Sequence, residues 1–81
     1  MNIREFETWV RRLRPSLQAV ARRMLADEDD AEDAVQDAFL RIIGRIEQID
    51  DIDSVETKRY VSLAARNAAI DRYRKRIWLR R

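Results

Sequence analysis

Two groups of side chains in this 81-residue chain have the types and spacing for binding chemistry. The first is Asp33, Gln36, Asp37 and Leu40. On a helix these four fall within two turns on one face. Leu40 is then ringed by hydrogen-bonding groups, the arrangement of an apolar interface anchor with a polar rim. The second group is Arg72, Arg74, Lys75 and Arg76, interleaved with Tyr73, Ile77 and Trp78. Cationic heads hold phosphates and aromatic rings stack on bases. Upstream, Tyr60, Leu63, Asn67 and Ile70 share a helical stripe, with Arg66 on a neighbouring side. An aromatic wall beside an amide that both donates and accepts suits an unstacked base. Each group also has a plain structural reading. A lone exposed leucine usually needs no explanation. Ile77 and Trp78 can belong to a frayed end that packs on a downstream segment. Tyr60 and Leu63 can pack on the first helix, with Asn67 capping a buried carbonyl.

Composition removes most other chemistry. The chain has no cysteine and no histidine. Disulfide frameworks, thiolate chemistry, the usual zinc sites and His-based triads are therefore excluded. Its carboxylates gather on one helix surface with no obvious metal cage. The expectation is a non-enzymatic protein with no cofactor and no metal. No apolar run approaches the ~18 residues of a membrane span. The N-terminus is charged from Arg4 onward, without a signal-peptide core. These features predict a cytoplasmic protein with no membrane partner.

The elements that must position both groups are helices. One Gly, one Pro and six aromatics argue against an all-β fold, which needs many turn residues. Eighty-one residues suffice for one domain, marginal when alone. Ile3, Phe6, Val10, Leu13, Leu17, Ala21 and Met24 recur at spacings of three and four, predicting a helix over about 3–25. Pro15 predicts a kink or break in it near Arg12–Pro15. Arg11, Arg12, Arg14, Arg22 and Arg23 lie off the apolar line and read as a solvated face. Asp29 or Asp30 can cap a second helix running to about Ile46, and Asp29 followed by Glu32 fits a capping box. Its apolar set is Ala31, Ala34, Val35, Ala38, Phe39, Ile42, Ile43 and Ile46, which fills half of a helical wheel. An acidic loop, Glu47–Ser54, follows, with Ile49 and Ile52 available to dock it. Asp53 or Ser54 can cap a last helix from about Val55 to Trp78 or beyond. Val61, Ala64, Ala65, Ala68 and Ala69 give that helix a small-residue packing stripe. The expected fold is all-α: a compact bundle of three helices, or four if the first breaks at Pro15.

Charge is sharply segregated although the net value is only +2. Residues 1–26 carry six basic and two acidic groups, residues 27–53 two basic and eleven acidic, and residues 58–81 nine basic and one acidic. Two oppositely charged surfaces suggest two different partners. They can equally attract each other inside the fold, and the two effects can coexist.

Two segments carry a family resemblance. DAEDAVQDAFLRII (Asp30–Ile43) and VSLAARNAAIDRYRKR (Val61–Arg76) together resemble region 2 of a bacterial RNA polymerase sigma factor, most closely the extracytoplasmic-function type. Arg14-Pro15-Ser16-Leu17 and Ala21-Arg22-Arg23-Met24-Leu25 resemble the helix that precedes that motif. The resemblance implies that the acidic helix docks on the clamp helices of the largest polymerase subunit, through Asp33, Gln36 and Asp37. It implies that the last helix reads the single-stranded promoter minus-ten element on the non-template strand and helps melt the duplex. Arg66 and Asn67 match the family's A-R-N, and Tyr60 stands where an aromatic is usual. The loop Glu47–Thr57 matches the segment that helps hold a flipped base, but is acidic and aliphatic where family members often carry Phe or Trp. Complete members have a further helix-turn-helix domain for the minus-thirty-five element, with no counterpart within residues 1–81. An anti-sigma factor is a further candidate partner. The rival expectation is an interaction module that binds polymerase or an anti-sigma factor without reading DNA.

Overall fold

The computed structural model describes residues 2–79. Three α-helices and one short 3-10 turn follow in order: α1 (Ile3–Met24), α2 (Glu28–Ile43), the turn Ile46–Gln48, and α3 (Val55–Leu79). No strand occurs among the described residues. The all-α expectation is met, with three helices rather than four.

Helix α1 runs unbroken through Pro15, so of the expected kink or break the break does not occur. Proline removes one backbone donor and crowds the preceding turn. Packing on both sides of it offsets that loss. Phe6 and Trp9 are buried before Pro15, and Leu17 and Ala21 after it. The Phe6 and Trp9 rings meet edge to face, with centroids 6.4 Å apart. Trp9 lies outside the periodic set read from the sequence, whereas Ile3, inside that set, is exposed. Asn2 caps the helix: its side-chain oxygen accepts from the Glu5 N–H at 2.9 Å.

The cap of α2 also differs from expectation. Asp27, not Asp29 or Asp30, takes the position, accepting from the N–H groups of Asp29 (2.8 Å) and Asp30 (3.1 Å). Asp30 is drawn inward instead, where it meets cations from α3. The Asp27 carboxyl is held below the ordinary carboxylate range, chiefly by the Asp30 N–H; desolvation opposes this, and the Asp29 N–H and Arg76 reinforce it. A depressed pKa stabilises the fold above the unfolded value of ~3.9 and loses that contribution as pH falls through the folded value. Stability curves of wild type and Asp27→Asn should therefore draw together as pH falls from the unfolded value of ~3.9 through the lower folded value, because asparagine caps without titrating. Curves separated by a constant amount at all pH values would show that the Asp27 charge contributes nothing.

Helix α2 ends at Ile43, earlier than the periodicity suggests, and Ile46 lies in the 3-10 turn. The Gly44 N–H still closes the last turn onto the Leu40 carbonyl at 3.1 Å. Ile49 and Ile52 are half-buried against the core and dock the loop as expected. Ser54 caps α3, accepting from the Thr57 N–H at 3.1 Å. The Thr57 hydroxyl in turn donates to the Asp51 carbonyl at 2.7 Å, tying the loop to the helix start.

Alanine makes up half of the buried apolar core among the described residues. Ala31, Ala34 and Ala38 of α2 are buried together with Ala64, Ala65, Ala68 and Ala69 of α3. Side chains this short let two helix backbones approach closely, so position matters more than volume. Leu17, Val35 and Ile42 are the largest fully buried side chains. With α3 25 residues long, about 37 Å, its end projects from the bundle. Tyr73, Ile77, Trp78 and Leu79 are exposed there. The basic residues Arg80 and Arg81 lie outside the described residues.

Charge segregation serves this packing. Arg14 reaches from α1 to Glu32 of α2 (3.7 Å), and Arg22 to Glu28 (2.6 Å). The Arg14 guanidinium also lies 5.2 Å from the Phe39 ring centroid. These two arginines are therefore not simply solvated, as their place off the apolar line suggested. Acidic α2 packs against both basic helices and pairs with each.

Candidate functional site

Parts of the two groups picked out in the sequence meet along the groove between α2 and α3, where Arg72 and Lys75 line one cleft with Asp33, Gln36, Asp37 and Leu40. Asp33, Gln36 and Asp37 are all exposed, and Leu40 is 64% exposed. The opposite face of α2 is consumed by the core, through Ala31, Ala34, Val35, Ala38, Phe39 and Ile42. Leu40 is therefore not part of the buried core. It lines two open clefts, one of about 440 Å³ beside Asp33, Gln36 and Asp37, the other of about 420 Å³ beside Tyr60, Leu63 and Asn67.

Helix periodicity explains this convergence. Helices α2 and α3 lie antiparallel, since Arg41 pairs with Asp71 while Asp27 pairs with Arg76. A stripe on each helix then borders the same groove along its length. Tyr60 is half-buried there; its hydroxyl donates to the Arg41 carbonyl at 3.0 Å, and the Arg45 guanidinium lies 5.7 Å from its ring centroid. Tyr60 thus reaches α2 rather than α1. Leu63 and Asn67 are exposed, Ile70 is half-buried, and Arg66 is exposed on the neighbouring side. Tyr60 is thus engaged within the fold, whereas Leu63 and Asn67 are not taken up in the packing considered for them.

The four cations of the last helix divide into two pairs. Arg74 and Lys75 are exposed and make no ion pair among the described residues. Arg72 donates to Asp33 at 2.6 Å and to Asp30 at 3.4 Å. Arg76 donates to Asp30 at 2.6 Å and lies 3.5 Å from Asp27. The Asp30 side chain, only 10% exposed, receives both arginines. A second bridge runs from Asp37 through Arg41 (3.2 Å) to Asp71 (2.7 Å). Its hydrogen bond to Asp71 is the first cause of a raised pKa at Arg41.

Sequence reasoning missed three participants: Asp30 as a shared carboxylate, Arg41 as a bridge, and Arg45 on the Tyr60 ring. The first was accessible in principle. Asp27, Asp30 and Asp33 recur every three residues, Arg72 and Arg76 every four, so each set shares a face. On α1, Arg12 and the mostly buried Trp9 line a cleft of about 500 Å³ under the loop residues Ile49–Ile52. No His/Cys/Asp/Glu cluster suited to a metal ion occurs among the described residues. None of their helices is long and apolar enough to cross a membrane.

The architecture is that of a small helical domain with an acidic second helix and a long, basic-ended third helix. The chain belongs to the Sigma-70 region 2 family, whose sequence profile matches residues 6–79. That family is a non-enzymatic domain of sigma factors, involved in RNA polymerase binding and promoter melting. No curated protein and no solved structure matches the chain.

Proposed function

We propose that residues 1–81 form the region 2 unit of an extracytoplasmic-function-type sigma factor, acting in the cytoplasm. In this reading Asp33, Gln36, Asp37 and Leu40 dock on the clamp helices of the largest polymerase subunit. Tyr60, Arg66 and Asn67 receive the non-template strand of the minus-ten element, and Arg72, Arg74, Lys75 and Arg76 meet its phosphates. The observation that carries the reading is the division of α2. One face is buried, while the other exposes Asp33, Gln36, Asp37 and most of Leu40. The test is capture of polymerase core by the chain, followed by promoter opening on the reconstituted complex. Failure to bind core would sink the proposal.

Two predictions concern DNA. Asn67→Ala should lose discrimination at one promoter position, worth roughly 1–3 kcal/mol by analogy with duplex readout. Core affinity should not change. Opening measured on matched and mismatched minus-ten sequences decides it; an equal loss on every sequence would move base recognition elsewhere, to the Glu47–Thr57 loop first. The exposed pair Arg74 and Lys75 should supply sequence-independent phosphate contact. Replacing both by glutamine should flatten the plot of log K against log salt by about 1.4, two contacts of ~0.7 each on a single strand. An unchanged slope assigns both to solvent.

A second reading has one observation in its favour. Two of the four tail cations, Arg72 and Arg76, are engaged by carboxylates, as in a module that binds polymerase or an anti-sigma factor without reading DNA. Neutralising Arg74 and Lys75 spares function under that reading and abolishes promoter opening under the first.

A further inference from the structure

We infer that Asp27, Asp30 and Asp33 form an intramolecular clasp that withholds Arg72 and Arg76 from nucleic-acid phosphate, and that a partner engaging Asp33 loosens its hold on Arg72. The inference rests on the proposed function and adds a coupling between its two sites.

The geometry is a ladder. Three carboxylates at three-residue spacing, at the N-cap and in the first two turns of α2, face two guanidinium groups one turn apart on α3. Arg72 spans Asp30 and Asp33, while Arg76 spans Asp27 and Asp30. A guanidinium binds phosphate with the same donors it gives a carboxylate. Phosphate must therefore displace aspartate before either arginine can bind it. Arg74 and Lys75, on the same turns, have no such competitor among the described residues. The chain by itself thus offers a strand two cations rather than four.

Asp33 makes the clasp responsive. It belongs to the proposed docking face and is the more exposed partner of Arg72, at 56% against 10% for Asp30. A cation on a docking partner that takes up Asp33 removes the shorter of the two bonds held by Arg72. Asp37 is linked to α3 in the same way, since Arg41 bridges it to Asp71, the neighbour of Arg72. Core binding and strand binding then share carboxylates and become positively coupled. By linkage each raises the affinity of the other by one common factor.

The test is the salt dependence of binding to a fluorescein-labelled oligo(dT) strand, measured by anisotropy with and without polymerase core. For the chain by itself, Arg72→Gln should leave the slope nearly unchanged, while Arg74→Gln flattens it by ~0.7. With core present, Arg72→Gln should flatten it by ~0.7 as well. Asp33→Asn in the chain by itself should release Arg72 and tighten binding about fivefold at 0.1 M salt, the factor that one contact of slope ~0.7 contributes relative to 1 M. Asp29→Asn makes the same charge change at an exposed site outside the clasp and should have a smaller effect. Far-UV circular dichroism checks that each variant is folded, and Asp33→Asn serves if Arg72→Gln is not. Equal flattening by Arg72→Gln in both contexts would overturn the clasp. So would equal gains from Asp33→Asn and Asp29→Asn. Absence of strand binding in both contexts would overturn the nucleic-acid reading itself, and the gate with it.

Discussion

Replacing Leu40 by glutamine is expected to weaken binding to polymerase core about 30-fold while leaving the melting temperature nearly unchanged. The magnitude is that of truncating an interface anchor, ~2 kcal/mol or more. The selectivity follows from where Leu40 lies. It is 64% exposed, so the fold gains little from it. Leucine and glutamine have similar helix propensities, so α2 is not weakened. Charge reversal at Asp37 should act in the same direction, with a small additional loss from its exposed pair with Arg41. Calorimetric titration against polymerase core, paired with thermal melts, measures both quantities. A parallel loss of stability and affinity would mean that Leu40 supports the fold, and the docking face would have to be sought elsewhere.

Two residues further along the same helix the expected result is the opposite. Ile42 is 0% exposed and among the largest fully buried side chains. Ile42→Ala should cost about 2–5 kcal/mol, the transfer energy of the lost methyl groups plus the cavity they leave. A domain of this size has a total stability of only about 4–12 kcal/mol. The melting temperature should therefore fall by at least about 8 °C, and the chain can lose its fold at 37 °C. Urea unfolding should show a lower midpoint at nearly constant m-value. Core affinity should fall only in proportion to the unfolded fraction. A cost below about 1 kcal/mol would show that α2 and α3 close over the vacancy. The contrast between Leu40 and Ile42 tests the division of α2 more sharply than either variant does.

Much of this was legible in the residue pattern. Helical spacing placed Leu40 outside and Ile42 inside. The alanine stripe of α3 is buried as its spacing required, and Ser54 caps α3 as one of two residues named for it. These features are local. A 3.6-residue period and a cap depend on neighbours within a turn or two, and sequence order states those directly. The errors were of another kind. Pro15 carries a local penalty, but burial of Phe6, Trp9, Leu17 and Ala21 spans it, and tertiary packing outweighs one missing backbone bond. Asp30 has the composition of a cap, but cations from α3 drew it inward and left the cap to Asp27.

The division of labour follows from the range of the forces. Helix content, the two faces of α2 and the segregation of charge are set by residues close in sequence, and reading them requires no partner helix. The pairing of particular charges is not local. Arg72 and Asp33 stand 39 residues apart, and Arg76 and Asp30 stand 46 apart. An exposed arginine and a clasped one look alike along the chain. Only the antiparallel contact of α2 with α3, set by how closely two alanine seams can approach, brings Arg72 and Arg76 to carboxylates and leaves Arg74 and Lys75 in solvent.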